Sequence, residues 1–185
     1  MSRPYYNAEN FVSRNSLGYL VKRCAGMLMI LAESKFDSEP LSFTHWVVLM
    51  NLLGHESHMS ATALSKETGH DMGALTRVVD SLEQSGLVRR ERSQHDRRTV
   101  EITLTAAGRR QVESTRCVVM DMTNEMLSVF SHDEVHTLIT LLQRLFTRLQ
   151  HYSDMPPEQL RAEQERIASK AATRRSAPSR GKSKP

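Results

Sequence analysis

The sequence predicts a mostly α-helical fold that carries one small β hairpin. Along most of the 185 residues, apolar side chains recur every three or four positions, which is the spacing of amphipathic helices. Only between residues 87 and 104 does the apolar period shorten to two, the spacing of strands. The length fits one domain, and no apolar run is long enough to cross a bilayer, so we expect no membrane-spanning segment.

Two helices are predicted before residue 55. The first spans Ser16 to Ser34, because seven side chains form one apolar stripe there: Leu17, Leu20, Val21, Cys24, Met27, Leu28 and Leu31. Pro40 then breaks the chain. Thr44 is the predicted N-cap of a second, shorter helix that ends before Gly54.

The next two helices form a helix-turn-helix pattern. Ser60 is the predicted N-cap of a third helix over Ala61–Thr68, which ends at Gly69. Asp71 is the predicted N-cap of a fourth helix that ends at Gly86, and its buried face consists of Leu75, Val78, Val79 and Leu82. Two helices joined by so tight a turn are typical of DNA-binding proteins.

A hairpin follows the fourth helix. Leu87–Arg92 is the first predicted strand, and Ser93–Arg98 is a polar loop. In the second strand, Thr99 to Leu104, outward and inward side chains alternate, and the inward set is Val100, Ile102 and Leu104. The hairpin therefore predicts a two-stranded wing, and the fold class is a winged helix-turn-helix with six main helices.

The C-terminal half supplies the last two main helices. Thr105 is the predicted N-cap of a long fifth helix, and Ser131 with Glu134 forms a capping box for a sixth. The sixth helix carries more apolar surface than a surface helix needs: Val135, Leu138, Ile139, Leu142, Leu145, Phe146 and Leu149. Together with the first helix, it predicts a homodimer interface.

These elements predict three segments of the chain. Residues 1–15 are an N-terminal arm, and residues 16–153 are the winged-helix domain. Within that domain, residues 16–58 and 105–153 supply the dimerisation helices, and residues 59–104 form a DNA-binding lobe. Residues 154–185 are a basic tail with a short helix over Glu158–Ala171, and the last dozen residues are predicted to be disordered because they are rich in Ser, Pro, Arg, Lys and Gly.

The net charge of +4 is unevenly distributed. Residues 166–185 contain seven Lys or Arg and no acid, so the other 165 residues carry 18 basic and 21 acidic side chains. A nucleic-acid footprint in the folded part must therefore be a local patch. One such patch lies between Ser85 and Arg110, and its arginines are Arg89, Arg90, Arg92, Arg97, Arg98, Arg109 and Arg110.

The exposed face of the fourth helix contains the candidate base-reading residues. Gly73 and Ala74 are small enough to let the helix enter a major groove about 12 Å wide. Arg77 is the candidate reader of guanine, and Thr76 is a candidate contact to phosphate or to a thymine methyl group. Ser60, Thr62 and Asp71 complete the candidate DNA contacts of the two helices. A solvated helix face with one arginine remains the alternative interpretation.

The predicted loop of the wing places two arginines at a hairpin tip. Arg97 and Arg98 follow Asp96, so one guanidinium could enter a minor groove while the other pairs with phosphate. The carboxylate of Asp96 would orient Arg98 rather than bind DNA. A hairpin tip that is merely soluble is the alternative.

The chain resembles the MarR family (multiple antibiotic resistance regulators) in several motifs. These are Leu41-Ser-Phe-Thr-His-Trp46, Asp71-Met-Gly-Ala-Leu-Thr-Arg77, Gly86-Leu-Val-Arg-Arg90, and Asp96-Arg-Arg98 followed by Ile102-Thr-Leu-Thr-Ala-Ala-Gly108. The resemblance extends from about Leu17 to Leu149. It implies a homodimeric repressor that binds double-stranded DNA at a pseudo-palindromic operator and responds to a small aromatic or phenolic ligand, without a cofactor. Because residues 1–10 lack the charged-then-apolar layout of a secretory signal, we expect the chain in the cytoplasm.

The resemblance also assigns roles to individual positions. Thr76 and Arg77 match DNA contacts of the recognition helix, and Arg98 matches a minor-groove arginine with Asp96 as its partner. Arg90 matches an arginine that can meet a ligand carboxylate, and Ala61 stands where some members have a proline beside a phenolic acid. Further candidate ligand contacts, for which plain core is the alternative, are Met27, Trp46 and Met50.

Other classes of function are less well supported by the residues. His55, His58 and His70 lack nearby cysteines or paired carboxylates, so we expect no metal site. A redox sensor that uses Cys24, with Cys117 to resolve it, remains an alternative, although an apolar stripe does not favour a reactive thiolate. No phosphate loop, nucleophile elbow or pair of acids on strands indicates an enzyme. The basic tail would also suit an architectural protein that binds DNA without sequence preference.

Overall fold

The structure is a computed structural model that describes residues 5–7, 10–55, 58–93 and 98–176. A 3₁₀ turn at Ser13–Asn15 precedes the helices, and the chain falls into two compact units, residues 1–126 and 127–185. In the described residues, the first unit contains six α-helices: α1 (Leu17–Phe36), α2 (Phe43–Gly54), α3 (Ala61–Thr68), α4 (Met72–Gln84), α5 (Ala106–Ser114) and α6 (Arg116–Leu127). The last residue of α6 belongs to the second unit. The described strands of the first unit are β1 (His58–Ser60), β2 (Val88–Arg92) and β3 (Val100–Leu104). The second unit contains α7 (His132–Ser153) and α8 (Pro157–Ser176). The prediction of a mostly helical winged helix-turn-helix is confirmed.

Four predicted helix starts are confirmed by side-chain caps. The hydroxyl of Ser60 accepts a hydrogen bond from the Ala63 N–H, the carboxylate of Asp71 accepts from Ala74, and the hydroxyl of Thr105 accepts from Gly108. Ser131 and Glu134 form the predicted reciprocal capping box at the start of α7. Each cap satisfies N–H groups that the first turn of a helix would otherwise leave without a partner.

The two predicted glycine stops are also confirmed. Gly69 and Gly86 both have a φ of +71°, a left-handed conformation that costs glycine little and other residues more. Gly69 ends α3 directly, and Gly86 follows the C-cap residue of α4. Both positions therefore turn the chain sharply at the ends of the helix-turn-helix.

The core of the first unit joins α2, α3, α4, the sheet and α5. Its fully buried side chains come from every one of these elements: Val48, Leu49, Leu52, Leu64, Leu75, Val79, Leu82, Val88, Ile102 and Val112. Burial of each such side chain contributes about 1.5–3 kcal/mol. The polar face of α4 is therefore presented by a helix whose opposite face is fixed in the core.

The sheet has three strands rather than the predicted two. β3 pairs with β2 on one side and with β1 on the other, so Met59 lies opposite Ile102. The sequence does not predict β1, because three residues are too few to show an alternation of apolar and polar side chains. In addition, its partner strand lies more than forty residues away along the chain. The predicted inward set is also too large, because Val100, at the loop end of the hairpin, is exposed.

Several helix boundaries differ from the prediction, and α1 ends at Phe36 rather than at Ser34. Ser42, not Thr44, caps α2 by accepting a hydrogen bond from the His45 N–H. The hydroxyl of Thr44 donates instead to Glu33 Oε1 of α1 at 2.9 Å. The long fifth helix is divided into α5 and α6 at Thr115, whose buried hydroxyl hydrogen-bonds back to the Gln111 carbonyl.

The second unit has a different surface. α7 contains no buried residue, and its exposed large apolar side chains are Leu138, Ile139, Leu141, Leu142, Phe146 and Leu149. α8 continues to Ser176, five residues beyond the predicted end. The prediction of disorder over the last dozen residues is wrong for residues 174–176, which are helical, and the other nine residues lie outside the described residues. No helix in the described part of the chain has the length and apolarity that a bilayer crossing requires.

Candidate nucleic-acid interface

The turn between α3 and α4 is fixed by local hydrogen bonds. The Ser65 hydroxyl of α3 donates to the carbonyl of His70 at 2.7 Å, across the turn. The Gly69 N–H donates to the Ser65 carbonyl, and the Asp71 carboxylate then starts α4. The relative orientation of the two helices is therefore determined by the turn as well as by the core.

The exposed face of α4 contains the predicted contact residues. Gly73, Thr76 and Arg77 are exposed and Ala74 is partly exposed, whereas Leu75, Val79 and Leu82 on the opposite face are buried. The small first turn leaves room for a duplex to approach. Arg77 is a long cation on the exposed face, as a reader of guanine must be.

The side chains of Thr76 and Asp71 are already engaged within the helix. The Thr76 hydroxyl donates to the Met72 carbonyl at 2.7 Å, which leaves its methyl group and lone pairs available. The N–H of Ala74 donates to Asp71 Oδ1 and holds the pKa of that carboxyl below its ordinary value. A Cβ on Gly73 would lie 3.2 Å from the same oxygen. Asp71 and Gly73 therefore shape the first turn of α4.

Ser60 and Thr62 lie at the start of α3. The Ser60 side chain serves as its N-cap, at 3.2 Å from the Ala63 nitrogen, and Thr62 is exposed in its first turn. Thr62 is thus accessible from solvent, whereas the Ser60 hydroxyl already has a backbone partner.

The wing extends from the sheet beside α4. Arg89 and Arg92 of β2 and Arg98 after the loop are exposed, and Arg89 Nε lies 3.0 Å from Glu91 Oε1. The predicted tip residues Asp96 and Arg97 lie outside the described residues. The predicted contact between Asp96 and Arg98 therefore stays a prediction.

The base of the wing packs tightly against the start of α5. The Thr105 N–H donates to the Leu87 carbonyl, and its hydroxyl donates to the Gly86 carbonyl at 2.8 Å. A Cβ on Gly108 would lie only 2.1 Å from the Leu87 oxygen. The sequence around Gly108 does not indicate this role, because the requirement for a glycine arises from Leu87, a residue 21 positions earlier.

Arg90 points to α4 rather than to a cavity. Its Nη2 lies 2.5 Å from Asp80 Oδ1, its Nη1 donates to Glu83 Oε2, and its backbone N–H donates to Glu83 Oε1 at 2.9 Å. Burial alone would lower the pKa of this guanidinium, but the two carboxylates outweigh that effect and hold the pKa above its ordinary value. The proposed ligand role of Arg90 competes with these ion pairs.

A groove of about 260 Å³ lies between α2 and α6. Its lining is mainly apolar with a few polar groups: Trp46, Met50, Arg116, Val119, Met120, Thr123 and Asn124. The indole of Trp46 stacks on Phe43, with ring centroids 5.9 Å apart, and its Nε1 is buried with no hydrogen-bond partner among the described residues.

The groove brings together only two of the five candidate ligand residues. Trp46 and Met50 line it, whereas Ala61 packs against the core and Met27 is mostly exposed on α1. Arg116 was missed, because nothing in the sequence indicates that α6 lies beside a helix seventy residues earlier. Trp46, the single tryptophan of the chain, is one of the residues that the resemblance to the MarR family predicts for a ligand pocket.

The residues considered for metal or redox chemistry do not form a cluster. Within the described ranges, no three His, Cys, Asp or Glu side chains are grouped in a way that could hold a metal ion. Cys24 and Cys117 are free and exposed.

Comparisons with known proteins agree with this geometry. A model of the MarR family matches residues 40–99, which include α2, the helix-turn-helix and most of the wing. Apo MarR from E. coli is 27% identical with a TM-score of 0.62, covering 70% of this chain and 96% of its own. A cysteine-to-serine variant of that protein, solved with operator DNA, is 28% identical with a TM-score of 0.62, covering 70% and 92%.

A third similar structure shares the fold at lower identity. BpsR of Bordetella bronchiseptica, whose DNA binding is regulated by 6-hydroxynicotinic acid, is 22% identical with a TM-score of 0.65. The match covers 79% of this chain and 99% of BpsR. The family model matches about a third of the chain, and the shared fold extends over most of it. This chain is therefore similar to DNA-binding transcriptional regulators of the MarR family.

Proposed function

We propose that this chain is a homodimeric repressor that binds a pseudo-palindromic operator in the cytoplasm and is released by a small aromatic ligand. The observation that carries the proposal is the face of α4, where Arg77 and Thr76 are exposed on a helix whose other face is buried. A variant of E. coli MarR with the same fold has been solved with operator DNA, which supports DNA binding by this chain.

Contacts to DNA follow from the chemistry of the exposed residues. Arg77 would form a bidentate hydrogen bond with O6 and N7 of guanine. Because the hydroxyl of Thr76 already donates within the helix, its methyl group is better placed for a thymine methyl than its O–H is for a phosphate. Asp71 and Ser60 would act by positioning α4 and α3, and Arg98 would reach a flanking minor groove.

Dimerisation would place two α4 helices in successive major grooves. The apolar side chains of α7 are exposed in the single chain, as are Leu17, Leu20, Val21 and Ile30 of α1. Exposed apolar surface of this extent is typical of an interaction surface. A second copy of the chain is the partner that a pseudo-palindromic operator requires, because its half-sites repeat the symmetry of the protein at about 10 base pairs.

The groove between α2 and α6 is the proposed ligand site. Its volume fits a single substituted ring, and its lining offers one cation, Arg116, for a carboxylate. An acceptor that reaches Nε1 of Trp46 would also satisfy a buried donor that has no partner in the described structure. We therefore assign the ligand carboxylate to Arg116, while Arg90 remains paired with Asp80 and Glu83.

Release would follow from a difference in affinity between two conformations of the dimer. A ligand that favours a misfit spacing of the two lobes by about 3 kcal/mol suppresses operator occupancy about a hundredfold. A conformational change of this kind needs no cofactor.

DNase I footprinting on the region upstream of the chain's own gene tests the DNA-binding proposal. We expect protection of two half-sites about one helical turn apart. Protection spread evenly over the fragment would contradict the proposal and favour an architectural protein.

The ligand proposal has its own readout, the fluorescence of the single tryptophan. Titration with 6-hydroxynicotinic acid and with salicylate should change Trp46 emission and remove the footprint, and Arg116→Gln should weaken both effects without changing DNA binding. If neither compound changes emission or footprint, the aromatic-carboxylate assignment is wrong and the DNA-binding assignment is unaffected.

A further inference from the structure

The strongest unexplained feature of the DNA-binding lobe is the clamp formed by Arg90, Asp80 and Glu83. Arg90 is the third residue of β2, and both acids lie on α4. The guanidinium contacts both carboxylates, and the backbone N–H of the same residue donates to Glu83. The wing is therefore tied to the recognition helix through both its main chain and its side chain.

The two acids lie close to the proposed DNA-contact face. Asp80 follows Thr76 by four residues and Arg77 by three, so it lies one turn further along the same side of α4. Glu83 follows Asp80 by three residues. Carboxylates at this place repel the phosphates of a bound duplex unless a cation screens them.

The clamp also determines where the wing points. The loop begins at Ser93, three positions after Arg90, or about 10 Å along the strand at roughly 3.3 Å per residue. A rotation of about 10° at Arg90 would thus move the start of the loop by about 2 Å, which is enough to displace an arginine from a narrow groove.

We propose that Arg90 is a positioning residue that fixes the wing relative to α4 and screens Asp80 and Glu83 from the DNA backbone. This inference rests on the proposed function as a sequence-specific DNA-binding protein. It gives Arg90 a role in the DNA-binding lobe itself, in place of the ligand contact expected from the sequence.

Fluorescence anisotropy with an operator duplex and a scrambled duplex tests the proposal on four variants. Arg90→Gln breaks the side-chain part of the clamp and exposes two acids. Asp80→Ala/Glu83→Ala removes the acids and releases Arg90. Arg90→Lys keeps the charge but loses the two-pronged geometry. Arg89→Gln is the matched control, because it removes the same charge from the neighbouring residue, whose partner is Glu91.

The expected result separates screening from positioning. Arg90→Gln should weaken operator binding at least about tenfold more than Arg89→Gln, the loss expected for one charged hydrogen bond. Asp80→Ala/Glu83→Ala should bind scrambled DNA more tightly, because two negative charges are gone, and yet should lose about tenfold or more in operator preference. Arg90→Lys should restore scrambled-DNA binding but only part of the operator preference.

Two results would overturn the proposal. If Arg90 is a simple phosphate contact, Asp80→Ala/Glu83→Ala will strengthen binding to both duplexes equally and keep the preference. If Arg90 instead receives a ligand carboxylate, Arg90→Gln will match Arg89→Gln on DNA and lose only the response to the ligand.

Hydrogen exchange of the free protein provides a readout that needs no DNA. Amides of β2 and β3 should exchange faster in Arg90→Gln and in Asp80→Ala/Glu83→Ala than in Arg89→Gln, with thermal unfolding of each variant recorded as a control for folding. Unchanged exchange rates of the β2 and β3 amides would show that Arg90 does not fix the wing relative to α4, and would overturn the proposal. A wild-type protein with no operator preference but the expected exchange pattern would instead refute the proposed function alone.

Discussion

Helices α4 and α7 are both amphipathic, but only α4 buries its apolar face within its own chain. Leu75, Val79 and Leu82 of α4 are each 1% exposed, whereas α7 has no buried residue and Phe146 is 60% exposed. An apolar stripe therefore predicts that a helix face will be buried. It does not predict whether the same chain or a second molecule buries that face. In α4 the proposed DNA contacts lie on the polar face, and in α7 the apolar face is itself the proposed interaction surface.

The same substitution in both helices tests this difference. Leu82→Ala should lower the free energy of unfolding by about 2–5 kcal/mol, because it opens a cavity in a full core. Leu142→Ala should change self-association instead, so that its effect on the melting temperature grows as the protein is diluted. Thermal melts at two concentrations, with sedimentation, measure both. A concentration-independent loss for Leu142→Ala would remove the support for the α7 interface.

The next largest expected effect is the loss of operator affinity when Arg77 is removed from the polar face of α4. Arg77→Ala should weaken operator binding by about 1–3 kcal/mol for each half-site and leave the melting temperature unchanged, because the side chain is exposed. Arg161→Ala removes the same charge from α8 and is the matched control in anisotropy titrations. Retention of operator preference by Arg77→Ala would refute the assignment of the recognition helix.

Close packing at the base of the wing predicts a loss of stability. Gly108→Ala would place a methyl group against the Leu87 carbonyl, so we expect a loss of about 1–3 kcal/mol in the free energy of unfolding. Gly54→Ala, at the end of α2, meets no atom within 4 Å and is the control. Equal stability of the two variants in urea denaturation would show that α5 can move away from the wing at little cost.

The caps of α4 and α7 predict a smaller effect of pH. Backbone N–H donors lower the pKa of Asp71 through Ala74 and of Glu134 through Ser131. Because both folded pKa values lie below the unfolded ones, the stabilisation is complete above the unfolded pKa and is lost as the pH falls through the folded pKa. Asp71→Asn keeps the cap but should make the unfolding curve less sensitive to acid. An unchanged acid dependence would contradict this account of Asp71.

Local features of the fold could be predicted from the sequence, and long-range ones could not. Ser60, Asp71, Thr105 and Ser131 cap their helices through bonds to residues three positions away, so the sequence contains the whole signal. Thr44 was misassigned as a cap because its hydroxyl is used by Glu33 of another helix.

The candidate sites divide in the same way. The exposed face of α4 follows from the helical period alone. The groove with Arg116, and the pairing of Arg90 with two acids of α4, depend on which elements the fold brings together. A sequence comparison could align Arg90 with a ligand-binding arginine, but the carboxylates beside it become visible only in three dimensions.

The most direct test of the central claim is the ratio of affinities for operator and scrambled duplexes. Fluorescence anisotropy at physiological salt should give a preference of about a thousandfold for the wild-type protein, the ratio expected of a sequence-specific regulator. Equal affinity for the footprinted site and its scrambled version would contradict the claim that α4 reads a DNA sequence.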